Sequence, residues 1–422
     1  MAIFKNHTRY QEKARVLFID MNSFFASCEQ QENVAWRNKP LAVCGNHSNS
    51  VIIAPSKEAK LYGVKTGMRL KEAQALCPHI ISVAPHSSIY RKYHIGVMNV
   101  LRSFADNVIP KSIDEAVLNL NEYELVYPDM HKLALDIKRA IQTQVGDWLT
   151  CSIGIAPNTF LAKLATDLQK PDGLVEINKE NIDSILEKLD LMDLPGIAEK
   201  WNKKLQLAGI KNPKQLRHTS PEVLKKIMGG IIGYYWHYRL NFAEVDYYSN
   251  GYKSMSAVRT LSGIQRSNPK MLMDIFLSLC MKLENRMVQH EVYTKHITFY
   301  CSYVNGAKFD TYRHLSKPIQ DGTDLFHMLI DKIAEVEKEK KTTIFTPQLR
   351  SIGVAVNQFI PDSNIQYELF DNQLRKNQLR KTVYSIKDKF GKDKLIKAVE
   401  LRDEEVVKDV IGFGSVKDMY KE

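Results

Sequence analysis

Ser112-Ile113-Asp114-Glu115-Ala116 sits inside a short apolar segment, Val108 to Leu120, that reads as a buried strand or hairpin. Carboxylates are seldom buried unless they are paired or hold a metal. A further acid has the same setting far upstream, where the β-rich run Val16-Leu17-Phe18-Ile19 ends in Asp20. Two strands that each deliver carboxylates to one sheet edge make an oxygen-rich site suited to Mg²⁺. Such sites commonly serve phosphoryl transfer, with a metal pair clamping the attacking and leaving oxygens. The alternative is that Asp20 and Asp114 merely cap strands and face solvent.

Composition bounds the rest. At 422 residues the chain exceeds one ordinary core, and about two to four domains are expected. Hydrophobic residues make up 44% and charged residues 25%, the balance of a globular protein. No apolar run reaches the roughly 18 residues that span a bilayer, and the N-terminus lacks a signal core. A cytoplasmic protein with no membrane partner is therefore expected. Cys28, Cys44, Cys77, Cys151, Cys280 and Cys301 form no Cys-x-x-Cys pair and read as reduced, mostly buried thiols. The net charge of +11 favours a polyanionic partner. Lysine and arginine crowd Lys200 to Lys226 and Arg375 to Lys397, a track rather than a uniform coat.

Along the chain, Val16–Ile19, Leu41–Val43, Val51–Ala54, Ala116–Leu120 and Cys151–Ala156 read as strands. His131–Trp148 has helical apolar spacing, and a second helix starts near Asn158 or Thr159 as N-cap. Short helices with Gly and Pro punctuation follow over 186–246, then a linker without clear period. Beyond it a helix is expected at Asn268–His290, a strand at Lys295–Tyr303, a helix at Asp324–Lys340 and a strand at Leu349–Val356.

Asp20-Met21-Asn22-Ser23-Phe24-Phe25-Ala26-Ser27-Cys28-Glu29 resembles the first motif of the Y-family translesion DNA polymerases. Ser112 to Ala116 resembles that family's S-[IV]-D-E-[AV] motif, and the details lean towards its UmuC-like bacterial branch. The resemblance implies an α/β multidomain right hand. Its palm would cover 1–25 and 86–175, its small fingers 26–85 and its helical thumb 176–243. A linker at 244–253, an α/β little finger at 254–360 and a tail at 361–422 complete it.

The same resemblance implies site roles. Asp20, Asp114 and Glu115 match the catalytic metal-binding carboxylates, with the Met21 carbonyl completing a site for two Mg²⁺ ions. Phe25 takes the position of the steric gate that rejects ribonucleotides; an isolated Phe would otherwise read as core. Asn22 stands where other branches often carry Asp, which leaves the triad intact. Lys57 and Lys60 occupy the fingers positions whose Tyr and Arg commonly touch the triphosphate, and Lys170 matches a palm lysine with that role. Ammonium groups neutralise phosphate but lack the guanidinium fork.

Pro195, Gly196 and Ile197 resemble the turn of a thumb helix-hairpin-helix that binds DNA backbone whatever the sequence. Gln366, Leu369 and Phe370 resemble a peptide that docks on the bacterial sliding clamp; the alternative is a packing anchor. The implied function is error-prone, template-directed DNA synthesis past damaged bases. Its partners would be primer-template DNA, deoxynucleoside triphosphates, the clamp and accessory SOS proteins. The rivals are a non-catalytic DNA-binding scaffold docked on the clamp and a palm-type nucleotidyl cyclase.

Overall fold

The computed structural model describes residues 9–10, 12–45, 50–246, 252–366, 373–391 and 395. The chain divides near residue 248 into two compact units.

The first unit is built on a five-stranded sheet. Its strands are β1 (Val16–Met21), β5 (Val108–Pro110), β6 (Glu115–Asn119), β7 (Cys151–Ala156) and β8 (Leu174–Glu176), in the order β5-β6-β1-β7-β8. Strands β1 and β7 are buried throughout, which is why both read as continuous apolar runs. Among the described residues, the only parallel pair within this sheet is β7–β8. Its crossover is α5 (Thr159–Leu168), capped by Asn158, whose side chain accepts from Leu161 N at 2.9 Å. Gly154 lets this helix lie close on the sheet. A Cβ there would come 2.0 Å from the Ala162 carbonyl oxygen.

A three-stranded sheet, β3-β2-β4, holds β2 (Leu41–Val43), β3 (Ala54–Pro55) and β4 (Ile81–Val83). Helix α1 (Phe24–Glu32) starts directly after β1, and α2 (Lys57–Leu61) follows β3. Helix α3 (Ser87–Arg102) presents a buried face of Tyr90, Tyr93, His94, Val97, Met98 and Leu101. After β6 comes α4 (Met130–Gln144). Short helices follow, among them α6 (Glu199–Leu207), α7 (Pro221–Met228) and α8 (Ile231–Leu240).

The second unit is an antiparallel sheet in the order β9-β12-β10-β11, from β9 (Ser254–Thr260), β10 (Val292–Tyr303), β11 (Lys308–Ile319) and β12 (Leu349–Pro361). Helices α9 (Pro269–Gln289) and α10 (Gly322–Lys340) pack with it around Phe276, Phe299, Leu329 and Val354.

Several expectations change. Val51–Ala54 is not a strand: Val51 makes an isolated bridge to Arg69, and only Ala54–Pro55 joins the sheet. The helix expected to reach Trp148 ends at Gln144, where Gly146 N turns back to the Ile141 carbonyl. Strand β11 was not expected; it is an edge strand whose polar, basic sequence hides a half-buried face. The 361–422 segment, polar, basic and helix-prone in its sequence, is helical in part. It carries α11 (Gln373–Phe390), fixed to the second unit by buried Arg380, which donates to Gln320 Oε1 at 3.2 Å and Asp321 Oδ2 at 3.1 Å. The start of the expected linker is structured too: Ala243–Glu244 pairs antiparallel with Arg9–Tyr10. All six cysteines are buried and free. No described helix is long and apolar enough to cross a membrane.

Candidate active site

Sheet register brings the acids together. Asp20 on β1 is the direct cross-strand partner of Glu115 on β6. Asp114 precedes Glu115, and its carbonyl accepts from Met21 N at 2.9 Å. Asp20, Met21, Asp114 and Glu115 therefore meet at one sheet edge. The turn before β6 is closed by Lys111 N and Ser112 N, which donate to the Glu115 carbonyl at 2.9 and 3.3 Å. From behind, buried His94 on α3 holds this turn by a 2.7 Å contact between Nδ1 and the Ile113 carbonyl.

The acids differ in surroundings. Asp20 is 7% exposed, and its Oδ2 accepts from Lys163 Nζ at 2.5 Å and Lys170 Nζ at 2.8 Å. Lys163 also reaches Glu115 Oε1 at 2.7 Å. Asp114 Oδ1 accepts a hydrogen bond from Ser112 Oγ. Burial raises the Asp114 pKa; Ser112 pulls it down, while the charges of Glu115 and Asp20 push it further up. Asp20 and Glu115 thus share one ammonium, and Asp114 lies near enough to feel both of their charges.

Among the described residues, no three His, Cys, Asp or Glu side chains form a metal-ready cluster. Chemistry and charge nonetheless fit a hard divalent cation. The donors are all oxygen, and an ammonium sits between Asp20 and Glu115, a stand-in for a metal cation.

Lys170 is positioned by its loop. Buried Asn22 accepts from Asp172 N at 2.8 Å and donates to Ser152 Oγ at 3.0 Å, while Gly173 N donates to Ser152 Oγ at 3.2 Å. Asn22 thus ties the loop to β1, a role its sequence position did not disclose. Lys60 lies within electrostatic reach of the acids. Burial lowers its pKa, the Lys170 charge adds to that, and Asp20 opposes it. Lys57 is not drawn to the acids; its ammonium lies 4.1 Å from the Trp148 ring centroid and 3.9 Å from Glu58.

Phe25 is buried on α1 and stacks on Tyr90 with centroids 4.4 Å apart. Tyr90 OH donates to buried Glu29 at 2.6 Å, and His86 Nδ1 lies 2.9 Å from the same carboxylate. Pro195, Gly196 and Ile197 form a turn ahead of α6. Gly196 has φ +96°, a conformation that favours glycine, and Ile197 is buried. Gln366 is exposed at the end of the second unit's described sheet region; Leu369 and Phe370 lie outside the described residues.

Lys163 was missed by sequence reading. A lysine on an amphipathic helix reads as solvated, and only the close seat of α5 on β7 turns it towards the acids. The same holds for His94 and Tyr90, each indistinguishable from core in the sequence.

Comparison with known proteins shows the family. Residues 19–167 match the impB/mucB/samB family and residues 252–369 match that family's C-terminal domain. A relative named DNA polymerase IV from Bacillus anthracis is 30% identical over 393 residues, 90% of this chain and 92% of the relative. Another of that name, from Pelotomaculum thermopropionicum, is 27% identical over 402 residues, 93% of this chain and 97% of the relative. Among solved structures, a Y-family DNA polymerase chimera, Dbh-Dpo4(243-245)-Dbh, superposes with a TM-score of 0.70 at 25% identity, covering 82% of this chain and 99% of that one. The insertion ternary complex of Dbh DNA polymerase has the same identity and coverage and a TM-score of 0.58. The chain belongs to the Y family of translesion DNA polymerases and is a DNA-directed DNA polymerase. The curated relatives carry the name DNA polymerase IV, and the matching family model is that of impB/mucB/samB.

Proposed function

We propose that this chain extends a primer on damaged templates, with low fidelity, by nucleotidyl transfer at a site for two Mg²⁺ ions. The observation that carries the reading is the cross-strand pairing of Asp20 with Glu115 beside Asp114. When bound, the ions would supply charge neutralisation and an activated 3′ hydroxyl. Asp20, Asp114, Glu115 and the Met21 carbonyl would hold them. The chain's own groups do the rest. Lys170 and Lys60 stand beside the acids, where they would bind the anionic triphosphate. Lys57, seated over the Trp148 ring, would join them on leaving it. Phe25, fixed by Tyr90, is the proposed gate against the ribose 2′-hydroxyl.

The α/β sheet of the first unit serves as palm, the β3-β2-β4 region as fingers and the 176–243 helices as thumb. The second unit serves as little finger. The turn at Pro195-Gly196-Ile197 would contact DNA backbone, and Gln366 with Leu369 and Phe370 would dock on the sliding clamp. Accessory SOS proteins and a cytoplasmic setting belong to the same reading. Primer extension on undamaged, abasic and pyrimidine-dimer templates tests it, with Asp114→Ala as control. Asp114→Ala should abolish addition while DNA binding stays near wild type; near-normal extension by this variant refutes the site.

A further inference from the structure

We propose that buried Glu29 is a positioning residue for sugar selection, holding the Tyr90 ring against Phe25 so that the gate cannot yield to a ribose 2′-hydroxyl. The inference rests on the reading of Phe25 as the gate and extends it to a carboxylate outside the acid triad. Glu29 is 2% exposed. A carboxylate stays in such a place only where it is hydrogen-bonded or paired, and the proposed transfer chemistry makes no use of this one.

Phe25 and Glu29 stand four residues apart on α1, so their side chains leave the same face of the helix. Tyr90 spans both. Its ring stacks on Phe25 with centroids 4.4 Å and planes 29° apart, and its hydroxyl donates to Glu29 Oε1 at 2.6 Å. The same hydroxyl accepts from His86 N at 3.2 Å, and His86 Nδ1 lies 2.9 and 3.1 Å from the two Glu29 oxygens. A buried ring carried by α3 is thus pinned to a residue of α1.

Steric selection is only as strict as the obstacle is firm, because a ring that can retreat relieves the clash it should impose. Stacking by itself resists sliding weakly, since each dispersion contact is small and non-directional. A hydrogen bond to a buried carboxylate is directional, and breaking it leaves a desolvated acceptor without its donor. Anchored through its hydroxyl, Tyr90 cannot slide off Phe25 unless that bond breaks. Phe24 stands farther from Phe25, at 5.9 Å and tilted by 46°, so Tyr90 is the closer support.

The test measures addition of single matched ribo- and deoxynucleotides by the full-length protein. Tyr90→Phe keeps the ring and removes only its anchor. It should raise the ribonucleotide-to-deoxynucleotide ratio of kcat/KM by about three- to tenfold, the range of one hydrogen bond, while deoxynucleotide addition changes less. Glu29→Ala should move the ratio the same way, and the double variant no further than the larger single change, since each breaks the same link. Glu29→Gln, whose amide oxygen can still accept from Tyr90, should recover most of the selectivity lost in Glu29→Ala. A merely structural role would slow addition of both nucleotides alike and leave the ratio alone, and that result overturns the inference. Phe25→Ala separates this outcome from failure of the gate reading. If Phe25→Ala relaxes sugar selection while Tyr90→Phe does not, the gate stands and the role of Glu29 falls; if Phe25→Ala leaves the ratio unchanged, the gate reading fails and the inference with it. Should Glu29→Ala not fold, Tyr90→Phe decides alone.

Discussion

Gly154 on β7 and Ala162 on α5 approach so closely that a Cβ on the glycine would lie 2.0 Å from the Ala162 carbonyl oxygen. This contact sets the height of α5 above the sheet. Since Lys163 is the next residue on that helix, it also sets where the ammonium meets Asp20. Packing and active-site charge are one arrangement here.

Gly154→Ala should therefore damage stability and the site together. Overpacking of a close interior contact costs about 1–3 kcal/mol. Urea unfolding should show that loss, and primer extension at a temperature where the variant stays folded should fall as well. Wild-type stability would mean that α5 has room the structure does not show.

Phe25→Ala should raise ribonucleotide incorporation relative to deoxynucleotide by at least about tenfold, equivalent to roughly 1.4 kcal/mol of relieved clash. Single-nucleotide kinetics with matched ribo- and deoxynucleotides measure this. An unchanged ratio would assign Phe25 to the core, together with Tyr90 on which it stacks.

The raised pKa of Asp114 fixes the sign of a pH effect in the metal-free protein. Burial is its first cause, and Glu115 and Asp20 add to it. Folding then favours the protonated acid. Its contribution to stability is fully present below the usual aspartate value of 3.8 and is lost as pH rises through the raised value. Asp114→Asn should match wild type in strong acid and become relatively more stable towards neutrality, in chelator. Urea melts across that range check it; a constant difference between the two proteins would contradict it.

That Asp20, Asp114 and Glu115 lie close together was legible in the sequence because carboxylates interrupt apolar runs there. Strands β1 and β7 were legible as continuous apolar runs, being buried on both faces. What escaped depends on contacts distant in sequence. Arg380 looks like part of a basic tail until Glu284 and Asp321 are seen beside it. Strand β11 carries edge-strand lysines and arginines that mask its period. Asn22 looked like a missing acid, whereas its amide organises the Lys170 loop through Asp172 and Ser152.

Replacing Leu369 and Phe370 by alanine should weaken clamp binding and processive synthesis but spare single-nucleotide addition on a short primer. Both residues follow exposed Gln366 and lie between β12 and α11 in the chain, far in sequence from the acids and from the Pro195-Gly196-Ile197 turn. Two apolar anchors are worth about 1.5–3 kcal/mol each when fully buried, and short-peptide interfaces depend on such anchors. The competing view packs both side chains on the second unit. It predicts a lower melting temperature and lower clamp-free activity for the double variant. The attachment of α11 makes the comparison sharper. Arg380 already fixes that helix to Gln320 and Asp321, so loss of Leu369 and Phe370 need not release it. An unchanged melting temperature with lost clamp binding supports docking, whereas a fall in both stability and clamp-free activity retires it.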